Sequence, residues 1–101
     1  MAAGLHAENA PLDGRTKGLP AGIDALAPAD IRSRGWNVLA EDLPLPLALL
    51  KESALRHNAQ WMRGFQALTG VALAPHGKTT MSPQLFRRQL ADGAWGITVA
   101  T

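Results

Sequence analysis

Apolar positions in the second half of the chain follow regular spacings. In the first half they do not. Between residues 52 and 69, Ala54, Asn58, Trp61, Phe65 and Leu68 recur at three- and four-residue steps. Leu55, Ala59 and Met62 widen that stripe, while Lys51, Arg56, Arg63 and Gln66 can face water. This pattern predicts a helix over residues 52–69. Ser53 is placed to cap its start, and Gly70 sits where a left-handed terminal residue is wanted. At this spacing Trp61, Met62 and Phe65 read as core rather than as a ligand box.

Residues 71–74 are four small or branched apolar side chains that run into Pro75, His76 and Gly77. They predict a short buried strand that stops abruptly, with a loop over residues 75–81. Ser82 and Pro83 then open a second helix, Ser82 as cap and Pro83 at the first helical position. Leu85, Phe86, Gln89 and Leu90 form its inner side, Arg87 and Arg88 lean outward, and Gly93 ends it. Residues 96–101 predict another strand, built on Ile97 and Val99. An earlier strand is expected over residues 43–51, where Leu45, Leu47, Leu49 and Leu50 are apolar on both parities. Pro44 and Pro46 confine its beginning to an edge or an irregular entry. The spacing from Val71 to Ile97 is that of one β-loop-α-β unit, parallel and right-handed. The expected fold class is therefore α/β. One such unit cannot cover both faces of a sheet, so the expectation is a truncated piece of a larger protein.

Residues 1–41 carry little pattern. Pro11, Gly14, Gly18, Pro20, Gly22 and Pro28 interrupt them every few positions. They read as a loose leader with one short helical turn near residues 29–34, started by Pro28 and Asp30. Residues 42–101 would hold the structured domain. The whole chain is 101 residues, enough for one small domain. Its net charge is only +2. That charge is uneven: residues 1–50 hold six acidic and four basic side chains, residues 51–101 two and six. A mild basic excess beside Lys78 suits an anionic ligand but is too sparse for nucleic acid. The absence of cysteine removes disulfides, thiolate metal sites and thiol nucleophiles. The first ten residues do not read as a secretory signal, and the longest apolar run, residues 43–50, is short and broken by prolines. A cytoplasmic protein without membrane contact is the expectation.

Chemistry concentrates at Lys78. Gly77-Lys78-Thr79 looks like the end of a phosphate loop, but that loop needs a glycine where Ala72 stands, and Pro75 has no amide to offer. A lysine held at a strand end in a partly dry pocket could instead attack an aldehyde, and pyridoxal phosphate is the usual partner. His76 could serve as an acid–base group, but His6, His57 and His76 share no metal-ligand spacing and no carboxylate lies near His76. A plain solvated loop lysine is the remaining reading.

Pro75-His76-Gly77-Lys78-Thr79, then Ser82-Pro83, then the run from Arg87 through Gly93-Ala94-Trp95-Gly96-Ile97 to Thr101, resembles the D-threonine aldolase and D-serine dehydratase family. These are pyridoxal phosphate enzymes of alanine-racemase-like fold. The resemblance spans about residues 43–101, and Ala54-Leu55-Arg56-His57-Asn58 is similar to the helix before the family's first barrel strand. It implies a (β/α)8 TIM barrel of which this chain is the N-terminal fragment, with residues 71–74 and 97–100 as its first two strands. It makes Lys78 the catalytic Schiff-base lysine and places His76 and Thr79 near the cofactor. Family members continue with Lys-Thr-His-Lys, whereas this chain has Lys78-Thr79-Thr80-Met81 and a Gly35-Trp36-Asn37 leader. Those features are similar to proteins called amino acid deaminases. The implied activity is deamination or dehydration of a D-serine-like D-amino acid, with D-threonine aldol cleavage or an inactive remnant as alternatives. The family's divalent metal ligands lie outside this chain. A homodimer is left open for the full-length protein.

Overall fold

A computed structural model describes residues 9–100. The chain divides into two compact units, Met1–Leu49 and Leu50–Thr101.

Among its described residues the first unit contains an antiparallel bridge and short 3-10 turns. Leu12 and Leu26 form an antiparallel bridge, each N–H donating to the other's carbonyl at 2.8 Å. Leu26 is the one buried hydrophobic residue among the described residues. The short helical turn expected after Pro28 is present as a 3-10 turn, Pro28–Arg34, with Pro28 at its start and Gly35 closing it in the left-handed region at φ +65°. A second 3-10 turn, Val38–Ala40, is capped by the Asn37 side chain, which accepts from the Leu39 amide. Residues 43–51 form no strand: Leu45, Leu49 and Leu50 are exposed.

The second unit is built on two helices, α1 (Glu52–Thr69) and α2 (Pro83–Ala91). Gly70 closes α1 at φ +71°, its N–H donating to the Gln66 carbonyl. Ser82 caps α2 through the Leu85 amide, and Pro83 occupies the first turn, where no hydrogen bond is lost. Ser53 does not cap α1. The helix begins one residue earlier, and Lys51 at the cap position offers no side-chain acceptor. Asp92, rather than Gly93, is the C-cap of α2. Arg88 does not lean outward: its guanidinium forks onto Glu52 of α1 through two 2.7 Å hydrogen bonds.

The α/β expectation is overturned. Among the described residues there is no β-sheet, and the first βαβ unit of a TIM barrel is not formed. Residues 73–77 and 95–98 do run side by side, but they share a single parallel bridge, His76 with Thr98. Thr98 N–H donates to the Pro75 carbonyl at 2.9 Å, Gly77 N–H to the Thr98 carbonyl at 2.8 Å, and Trp95 N–H to the Leu73 carbonyl at 2.8 Å. The bridge does not grow into a ladder for a local reason. Toward the N-terminus, the next pairing needs a donor at Pro75, which has none. Toward the C-terminus, the chain turns at once into a 3-10 turn, Gly77–Thr79.

The aromatic cluster on α1 also departs from expectation. Trp61 and Phe65 stack with ring centroids 5.7 Å apart, yet Trp61 is 61% exposed. The single stripe read from the sequence is really two. Leu55, Ala59, Met62 and Gln66 line one side of α1, and Trp61, Gly64, Phe65 and Leu68 line another. Only the first faces other parts of this unit, across a cleft of about 570 Å³.

Candidate functional site

Lys78 sits at the middle of the Gly77–Thr79 turn, where residues 73–77 end. What holds the turn is a run of five amides with internal acceptors. Gly77 N–H donates to the Thr98 carbonyl at 2.8 Å, and Lys78 N–H to Nδ1 of His76 at 3.2 Å. Thr79 N–H reaches the His76 carbonyl at 3.5 Å, and the Thr80 and Met81 amides both reach the Gly77 carbonyl. The phosphate-loop reading therefore fails on geometry as well as spacing. A phosphate cradle needs amides aimed outward, and these are engaged within the chain.

Gly77 is buried, and its lack of a side chain is what permits the turn. A Cβ there would stand 3.0 Å from Phe86 Cζ and 3.1 Å from Ile97 Cγ2. Phe86 of α2 and Ile97 thus close over the backbone immediately before Lys78. Lys78 is exposed, and among the described residues its amine has no hydrogen-bond or ion-pair partner. It lines neither of the two cavities in this unit. The partly dry pocket expected around it is not formed by the described residues.

The three residues expected at the site are brought together by sequence neighbourhood, and the turn gives each a different part. Lys78 presents a free amine. His76 is exposed at its ring and caps the turn with Nδ1, so the neutral imidazole carries its proton on Nε2. Thr79 contributes its amide to the turn and is exposed. Sequence reasoning missed Phe86 and Thr98 as supports of this turn. Thr98 acts through its backbone carbonyl, which no residue type announces. Phe86 was placed on the inner side of α2 but not over Gly77.

The larger cleft, between α1, α2 and residues 73–75, is mostly apolar, with Asn58, Gln66 and Thr80 among its polar lining. Arg63 with Asp92 and Arg88 with Glu52 tie the two helices across it. Among the described residues no group of three or more side chains could hold a metal ion, and no helix is long and apolar enough to cross a membrane. No protein-family model matches this chain, and no curated protein matches its sequence.

Proposed function

We propose that this chain carries the cofactor-bearing lysine of a pyridoxal-phosphate-dependent deaminase or dehydratase acting on a D-serine-like D-amino acid, with Lys78 as that lysine. The observation that carries the reading is the contrast at one residue: the backbone of Lys78 is pinned on both sides, while its amine is exposed and unpaired. An exposed amine is accessible to an aldehyde, and a fixed backbone limits where it can act. The motif around Pro75-His76-Gly77-Lys78-Thr79 supports the same assignment by resemblance.

The residues present fit the aldehyde end of the cofactor and not its phosphate end. The turn offers an amine, but its amides are taken, so side chains away from residues 77–81 would have to meet the phosphate. Bound at Lys78, pyridoxal phosphate would supply a carbonyl for the amine and a ring that takes up electron density as a bond at the substrate α-carbon breaks. Nζ of Lys78 would be the base that accepts the α-proton and would return it to the β-hydroxyl, which would leave as water. Thr79, next to the lysine in sequence and exposed, would offer a hydroxyl hydrogen bond near the cofactor.

Three lysines, Lys17, Lys51 and Lys78, make the test internal. The chain is incubated with pyridoxal phosphate, reduced with borohydride and mapped by mass spectrometry. The adduct is expected on Lys78 well ahead of the other two. Equal labelling of all three would overturn the proposal. Where turnover is measured, release of ammonia from D-serine supports deamination, and release of glycine from D-threonine would shift the assignment to aldol cleavage.

A further inference from the structure

Four of the five amides of residues 77–81 rest on backbone acceptors, which mutation leaves in place. The amide of Lys78 alone rests on a side chain, Nδ1 of His76. His76 reaches two residues forward to do this, as asparagine and aspartate do in side-chain-capped turns. Its own carbonyl receives the Thr79 amide, so ring and backbone of one residue grip both sides of Lys78's peptide unit. From this we infer that His76 is a positioning residue: its imidazole fixes the backbone from which the Lys78 amine projects, rather than touching the cofactor. The bond also sets the ring's chemistry. With Nδ1 accepting, Nε2 is the ring nitrogen left to donate. The inference deepens the assignment of Lys78 as the reactive amine and rests on that reading for its functional consequence. The cap itself stands on geometry alone.

The test uses the full chain and the variants His76→Ala and His76→Asn. Asparagine is a strong cap whose carbonyl oxygen can replace Nδ1. Amide hydrogen exchange is read at Lys78, with Gly77 and Met81 as internal references. His76→Ala should speed exchange at Lys78 about fivefold, the size expected for one lost hydrogen bond. Gly77, held by Thr98, should be unmoved. Selective pyridoxal phosphate labelling of Lys78 over Lys51 should fall in His76→Ala and return in His76→Asn. Unchanged Lys78 exchange in His76→Ala would overturn the cap. Loss of labelling in both variants with exchange unmoved would also overturn the inference, because it would mean that the ring contacts the cofactor directly. If the unmutated chain labels its lysines equally, the reading of Lys78 as cofactor-bearing falls, and the exchange data still decide the role of His76.

Discussion

Arg88 grips Glu52 with both arms of its guanidinium, at 2.7 Å each, and so joins the last turn of α2 to the first turn of α1 across 36 residues of sequence. Bidentate pairing of this kind is the strongest geometry open to an exposed ion pair. The pair holds the Glu52 carboxyl below its ordinary value of 4.5, first through the hydrogen bond from Arg88. A carboxylate with a lowered folded value stabilises fully above its unfolded value. That contribution disappears as pH falls through the lower, folded value. Helix content followed by circular dichroism from about pH 6 down to about pH 2 should therefore fall on the acid side of 4.5. In Glu52→Gln that acid limb should be shallower, with less helix at neutral pH to begin with.

Gly77→Ala should destabilise the Leu50–Thr101 unit by about 1–3 kcal/mol, the usual range for overpacking. The added methyl would meet Phe86 and Ile97 at 3.0–3.1 Å. Phe86→Leu removes the ring that is struck, so the double variant should recover part of the loss. Urea unfolding of the two single variants and the double variant checks this.

Met81 sits at φ +50° and is 77% exposed. The left-handed region costs an L-residue roughly 1–2 kcal/mol, and glycine enters it freely. Because little packing is lost, Met81→Gly should raise stability by about 0.5–1 kcal/mol after glycine's greater unfolded freedom is counted. Thermal unfolding of the chain and of this variant decides the sign.

Trp61→Ala should cost about 1 kcal/mol, the value of its stacking on Phe65. A core tryptophan would cost about 3–5 kcal/mol. The difference between these two figures separates a surface stripe from a buried one, and equilibrium unfolding resolves it.

The sequence carried the helices well because their ends are marked by local chemistry. Gly70 supplies the left-handed close of α1, and Ser82 with Pro83 supplies the start of α2. It carried the strands badly. An apolar run such as residues 71–74 marks a segment able to pair, but pairing depends on which amides are free to donate. Pro75 removes one, and past Gly77, whose amide pairs with Thr98, the Thr79 amide is spent in the turn. Burial was misjudged for a related reason. The spacing of Trp61, Phe65 and Leu68 reports that they share a face of α1, not that anything lies against it. At the candidate site, Lys78 stood out in the sequence as an amine after a breaker. The capping use of His76 left one faint signal, a side-chain acceptor two residues before the lysine.

The turn around Lys78 has a consequence for whatever arrives there. A loop with its main-chain donors turned inward cannot mould itself to a visitor's outline, as glycine-rich nucleotide loops do. Recognition falls to side chains, each with its own rotamers, so a guest is held first by its reactive carbon and only later by its shape.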